Sequence, residues 1–307
     1  MGIVVFGAVF VDIKGYPLDQ YIPSGRNVGR VIQVHGGVSR NVAEDIANLE
    51  LRPTYVSVVD DTGIGADVVD RLRRHNVNTD YIIKTPDGLG TWLAIFDNNG
   101  DVVASISKRP DLSRISEILD AWGDKIISEA DSVVVEIDME EELLNRIFDL
   151  ADKYGKKIFA VVSNMSIALE RRVLLNRVAC IVCNQQEAEL LFSEEYDGMT
   201  VEQLEAILAD KIVQAHIDKM VMTLGENGAV YAQLGGEAGY CPPQKVDVID
   251  TTGAGDSFFA GIAVGLTYGK TLKESCNIGT RLASAVIATK ESVSPRFKPE
   301  EFGLQAK

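Results

Sequence analysis

Strand-like and helix-like hydrophobic patterns alternate along most of this chain, and nothing else in the sequence constrains its fold as strongly. The β-branched run at 3–6 precedes a segment, 38–50, in which Val38, Val42, Ile46 and Leu49 recur at helical spacing, and a second strand-like run follows at 55–59. The scheme continues with a helix at 63–75, ended by Asn76-Val77-Asn78, and a strand at 81–83. A strand at 132–137 with a helix at 140–154, a strand at 157–162, and a strand at 178–182 with a helix at 186–192 come next. A helix at 201–216, a strand at 219–223 and helices at 255–268 and 272–289 complete it. Strands joined by helical crossovers pair in parallel and need helices on both faces, so the pattern predicts an α/β fold of three layers around a mainly parallel sheet.

Two stretches depart from the alternation. Runs at 92–96 and 102–106 flank Asp97-Asn98-Asn99-Gly100-Asp101, whose Asn-Gly is a strong hairpin signal, and 15–35 carries Pro and Gly breaks around an extended run at 31–34. With no helices to cover them, these insertions are expected to form a small antiparallel sheet that acts as a lid. The expected organisation is one domain over 1–307, with lid segments at about 13–35 and 88–108 inserted in it.

The charge balance narrows the function. Lys plus Arg number 30 against 45 Asp plus Glu, a formal charge of −15, which argues against a nucleic-acid binder that must track phosphates with a basic face. The apolar stretch 258–266 is about half of the roughly 18 residues a membrane span requires. The N-terminus opens on a strand-like run with no basic region before it, so the expected location is cytoplasmic. Cys180 and Cys183 have the spacing of a redox or zinc motif, but no second Cys or His pair completes a ligand set, and they read as buried strand cysteines. His35, His75 and His216 are scattered, and none accompanies a nucleophile-elbow serine.

The segment Asp250-Thr251-Thr252-Gly253-Ala254-Gly255-Asp256 leads directly into an apolar helix. Glycines on either side of Ala254 permit a turn whose successive N–H groups converge, and the helix N-terminus adds its positive end, so residues 253–255 can form an anion hole. Asp256 in the first turn is placed to accept a proton from a hydroxyl attacking a phosphoryl group, or is simply a favourable charge at a helix N-terminus. The run Gly265-Leu266-Thr267-Tyr268-Gly269-Lys270-Thr271 looks like a phosphate loop but has one residue too few between its glycines and follows a helix; it reads as a helix ending at Gly269. No G-x-G-x-x-G follows the first strand, so a dinucleotide-dependent dehydrogenase has little support. Upstream, Gly36 and Gly37 allow close approach of a ligand, while Asn41 and Asp12 offer groups for polyol hydroxyls. A strand-to-helix turn capped by Asn41, and Asp12 as a solvated charge, are the structural alternatives.

Together these residues make the chain resemble the ribokinase, or PfkB, family of carbohydrate and nucleoside kinases over essentially its whole length. The resemblance rests on Gly36, Gly37 and Asn41 and, most specifically, on 250–256. It implies a ribokinase-like fold; ATP and Mg²⁺ as cofactors; Asp256 as base; Gly253, Ala254 and Gly255 as anion hole; and Asp12, Gly36, Gly37 and Asn41 as contacts to a small sugar or nucleoside. Asn184-Gln185-Gln186-Glu187 is similar to the family's Asn-x-x-Glu motif, implying that Asn184 and Glu187 organise Mg²⁺ and phosphates. Thr223, Gly225 and Gly228, with Thr252, are implied on the nucleotide side, Glu136 as an acceptor contact, and the lid as a part of acceptor binding or of a homodimer.

The chain also departs from the family pattern. Val162-Ser163-Asn164 lacks the acidic residue of many relatives, and Lys290-Glu291-Ser292 replaces a Gly-containing turn, which puts in doubt a monovalent-cation site built from Asp250, Thr252 and that loop. Arg40, together with the hairpin at 92–106, is similar to the pseudouridine-kinase branch; its guanidinium either meets the carbonyl oxygens of a uracil-like base or pairs with Glu44 at i+4. The expected activity is phosphorylation of a hydroxymethyl group, with pseudouridine as the first acceptor and a free pentose, hexose or phosphosugar as the alternative. A non-catalytic sugar or nucleotide sensor on the same fold is the rival of another class.

Overall fold

The computed structural model describes residues 2–304. In chain order the elements are β1 (Ile3–Phe6), β2 (Phe10–Pro17), β3 (Gly29–Gly36), α1 (Val38–Asn48), β4 (Thr54–Val59), α2 (Gly63–Arg74), β5 (Asn78–Lys84), β6 (Gly90–Phe96), β7 (Val102–Lys108) and α3 (Ile115–Glu129). They continue with β8 (Ser132–Glu136), α4 (Glu141–Lys153), β9 (Ile158–Val161), α5 (Met165–Glu170), α6 (Arg172–Leu175), β10 (Ile181–Asn184), α7 (Gln185–Phe192) and α8 (Val201–Ala215). The last are β11 (Lys219–Thr223), β12 (Ala229–Gln233), β13 (Ala238–Cys241), α9 (Ala254–Thr267) and α10 (Leu272–Ile287).

The all-parallel order β5-β4-β1-β8-β9 forms the first part of the main sheet. A second part, β10-β11-β12-β13, is parallel at β10–β11 and antiparallel beyond. The Ala179 N–H donates to Ile158 O at 2.7 Å just before β10 begins, which ties the two parts together. Strand periodicity then divides the core. Val4 and Phe6 of β1 pack in a cluster with α3, α4 and α8, whereas Ile3 and Val5 pack with α1, α2, α9 and α10 on the other face. The expected three-layer arrangement is therefore present.

α9 is buried through residues 257–266 and so reads as apolar all round. It approaches α10 closely because Gly261 and Gly265 carry no side chain: a Cβ at Gly261 would lie 2.4 Å from Gly279 N. The phosphate-loop look-alike is the α9–α10 connection, with Gly269 at φ 81° and Thr271 capping α10 reciprocally with Glu274.

The two insertions meet in one outer sheet, β3-β2-β6-β7. Each hairpin is antiparallel as expected, but β2 and β6, which come from different insertions, pair in parallel from Phe10↔Gly90 to Gly15↔Ile95. No helix among the described residues is long and apolar enough to cross a membrane.

Candidate active site

A cleft of about 1390 Å³ opens where the outer sheet meets the C-terminal ends of the parallel strands β1, β8 and β9. Asp12, Gly36, Gly37, Asn41, Glu136, Thr252, Gly253 and Asp256 all line it.

Backbone geometry at the glycines explains their places. Gly37 caps the start of α1 with φ 98°, and a Cβ there would lie 2.7 Å from Ala8 O. At Gly36 a Cβ would lie 2.5 Å from Asp12 Oδ1, so the missing side chain is what admits the Asp12 carboxylate. Gly253, at φ 82°, begins α9 and packs against the carbonyl of Ser292. The Ala254 N–H donates to Thr251 O at 3.3 Å, whereas the N–H groups of Gly253, Gly255 and Asp256 have no acceptor among the described residues. Of the four, only Ala254 is engaged by its own turn, and the Gly253, Gly255 and Asp256 N–H groups are left open.

Asp256 accepts a hydrogen bond from Asn41 Nδ2 at 2.6 Å. Burial pushes its pKa up to about 6, the Asn41 bond and the Arg40 charge pull it down, and Asp12 adds to the rise. A carboxylate near 6 is still ionised at neutral pH and is more basic than a free one, as a proton acceptor requires. Burial also raises Asp12, with Lys14 and Arg40 opposing. Glu136 is raised to about 7 by burial, although the Ala8 N–H (3.1 Å) and Ser39 Oγ (2.9 Å) donate to it.

Two expected acceptor contacts have other work. Asn41 is engaged on both sides of its amide, donating to Asp256 while its Oδ1 accepts from Ser292 Oγ at 3.1 Å and from Arg40. It fixes Asp256 more than it offers free groups to a polyol. Arg40 is fully buried and does not line the cleft. Its guanidinium donates to Gly36 O and His35 O at 3.1 and 2.8 Å and pairs with Glu44 at 3.0 Å. The i+4 alternative is the one realised, because α1 turns this side chain inward under the Gly-Gly turn and away from any bound base. Burial favours a neutral Glu44, but Arg40 and Arg71 outweigh it and hold its pKa below the usual range. Behind them Asp45, raised to about 7 by burial, accepts from Ser294 N at 2.6 Å and Ser257 Oγ at 2.7 Å, and so locks α1 to the first turn of α9.

Of the nucleotide-side residues only Thr252 lines the cleft; Asn184, Glu187, Thr223, Gly225 and Gly228 form a separate group. Asn184 and Thr223 pair in register at the ends of β10 and β11, and Gly225 and Gly228 shape the following turn with φ of 58° and 85°. Asn184 and Glu187 close on each other as a capping box, with bonds of 2.9 and 2.8 Å. These bonds use Asn184 Oδ1 and Glu187 Oε2 and leave Glu187 Oε1 without a partner among the described residues. Asp250, Thr252 and the 290–292 loop all line the cleft, and Asp250 Oδ1 accepts from Thr252 N at 2.8 Å. Cys180 and Cys183 are buried, as expected, though only Cys183 lies within β10.

Asp138, Arg109 and Ser163 also line the cleft and were not among the expected site residues. The readable signal is a second acid two places after Glu136, where β8 ends, beside the Ser163-Asn164 segment that lacks the family's acidic residue.

Open N–H groups at the start of α9, the half-buried Asp256 carboxylate and the cleft at the strand ends thus lie together. The pfkB family carbohydrate kinase model matches residues 2–298, and the chain belongs to that family; it is a carbohydrate or nucleoside kinase. It is 34% identical over 293 residues to guanosine-inosine kinase of Exiguobacterium acetylicum, covering 94% of this chain and 95% of that protein. Pseudouridine kinase of Escherichia coli K12 is 25% identical over 294 residues, covering 95% and 92%. Among solved structures, Arabidopsis thaliana ribokinase complexed with ribose and ATP superimposes with a TM-score of 0.84 at 20% identity, covering 98% of this chain and 97% of that one.

Proposed function

We propose that this chain transfers the γ-phosphate of ATP to the hydroxymethyl group of a nucleoside. The reading is carried by Asp256, half-buried at the start of α9 beside open N–H groups and bonded to Asn41 in the cleft that Asp12 and Gly36 line. Asp256 accepts the proton as the hydroxyl oxygen bonds to the γ-phosphorus, the bond to the bridging oxygen of the β-phosphate breaks, and ADP departs. The Gly253 and Gly255 N–H groups stabilise negative charge on the transferring group. Mg²⁺ would come bound to the nucleotide's own phosphates and neutralise their charge, with Asn184 and Glu187 on the nucleotide side to help organise it. A monovalent cation is an optional ligand of the Asp250 turn, since Lys290 already brings positive charge into the neighbouring loop.

Two nucleoside kinases among the relatives support a nucleoside acceptor, and they broaden it from pseudouridine first to purine nucleosides as well. Arg40 no longer argues for a pyrimidine. In assays of ADP release, inosine, guanosine or pseudouridine is expected to exceed ribose and fructose in kcat/KM. Asp12→Ala is expected to raise the KM for the nucleoside roughly 10- to 100-fold, the effect of losing a charged hydrogen-bond partner, with little change in the KM for ATP. A free pentose or hexose outrunning every nucleoside would refute the acceptor reading and leave the kinase in place.

The outer sheet fits a lid that also makes a homodimer. Its edge strands β3 and β7 expose Val31 and Ile106, at 72% and 71% of their surface, together with Val34, Val102 and Val103. Sedimentation equilibrium is expected to give a dimer, and Val31→Lys with Ile106→Lys a monomer; a wild-type monomer across micromolar concentrations would rule this out.

A further inference from the structure

We infer that Asp138 reads the heterocycle of the acceptor by accepting a hydrogen bond from a ring N–H beside a carbonyl, the lactam edge shared by hypoxanthine, guanine and uracil. This rests on the nucleoside reading above.

Asp138 lies two residues past the end of β8 with its side chain only 1% exposed. Its Oδ2 accepts from Arg109 at 2.9 Å and from Ser163 Oγ at 2.7 Å. Its Oδ1 is buried with no hydrogen-bond partner among the described residues. A buried carboxylate oxygen without a donor is costly, and Asp138 lines the cleft, so turning this oxygen toward the cavity would pair it with a donor the ligand brings. Arg109 is half-exposed and lines the same cleft, with two of its N–H donors engaged by Asp138 and others left over. Acceptor and donor side by side complement H–N–C=O.

Different elements hold the two groups: Asp256 accepts from Asn41 of α1, with Asp12 of β2 beside Gly36, whereas Asp138 follows β8 and accepts from Arg109 and Ser163. On this reading the hydroxymethyl group lies at Asp256, the sugar hydroxyls at Asp12, and the heterocycle at Asp138. Adenine and cytosine present a bare ring nitrogen where the lactams carry N–H, and a carboxylate oxygen repels it.

The test compares wild-type kcat/KM for inosine with 1-methylinosine, and for pseudouridine with 3-methylpseudouridine, alongside adenosine and ribose. For the better of the two parent nucleosides, methylation is expected to lower kcat/KM roughly 10- to 100-fold, mostly through KM. Asp138→Asn is expected to lower the ratio of inosine to adenosine, and of inosine to ribose, by a similar factor. Equal rates on parent and methylated nucleosides would overturn the role of Asp138 while leaving the nucleoside reading intact. A uniform fall on inosine, adenosine and ribose in Asp138→Asn would instead make Asp138 an anchor for Arg109, and also overturn it. If ribose outran every nucleoside in wild type, the nucleoside reading itself would fall, and this inference with it. The methylated substrates need no variant, so a folding failure of Asp138→Asn leaves the test standing.

Discussion

Asp256→Asn is expected to lower turnover by roughly 10² to 10⁴, the range for loss of a general base, with little change in the KM for ATP. Asn is nearly the same size, and Asn41 can still meet its side-chain oxygen, so the protein should fold with an unchanged melting temperature. The pH profile is the sharper readout. A base must be ionised to accept a proton, and burial raises Asp256 to about 6, so wild-type kcat should fall as pH drops through that value. In Asp256→Asn this limb should vanish from whatever activity remains. Glu136 is also raised, to about 7, so a limb that survives the substitution would be assigned to Glu136 and not to the base. Near-normal turnover in the folded variant would remove Asp256 from the chemistry.

The fold was legible where local patterns and tertiary packing demand the same thing. β1 alternates between two cores, and α10 begins at a Thr271 capping box written into its sequence. α1 shows the limit of such reading. Its helical spacing predicts one buried face, yet every residue from Ser39 to Asn48 is buried, because α9, the sheet and the 290–297 segment surround it. Arg40, Glu44 and Asp45 look like a solvated face in the sequence and prove to be a packed polar network. β12 and β13 are only five and four residues long and follow one another without a helix, so they escape the alternation, and β10 begins later than its apolar run because 178–180 is still approaching the sheet. α3 was readable by the rule used elsewhere, since Ile115, Ile118, Leu119 and Ile126 share a face. At the site, turns encoded by glycine were legible because a positive φ is a local demand. Asp138 was not, because what singles it out is one buried oxygen lacking a donor, a property of the assembled cleft.

Gly253→Ala is the other substitution expected to have a large effect, and it tests the anion hole apart from the base. Gly253 sits at φ 82°, and an added Cβ would lie 2.0 Å from the Ser292 carbonyl oxygen, a backbone atom with no flexible end to swing aside. Either the 290–292 loop or the start of α9 must move. The cost in stability should be about 1 to 3 kcal/mol for a strained left-handed alanine, seen as a lower midpoint in chemical denaturation. Displacing an oxyanion donor should lower kcat by roughly 10² to 10³ in addition. Gly255→Ala supplies the contrast: Gly255 has no positive φ, and a Cβ there meets nothing within 4 Å. That variant should keep wild-type stability and lose activity only through a methyl group beside the N–H donors, raising the KM for ATP. If Gly253→Ala lost stability but kept its turnover, the Gly253 N–H would have no part in phosphoryl transfer. If Gly255→Ala were as unstable as Gly253→Ala, the open space beside Gly255 would be wrong, and with it the place assigned to the transferring phosphate.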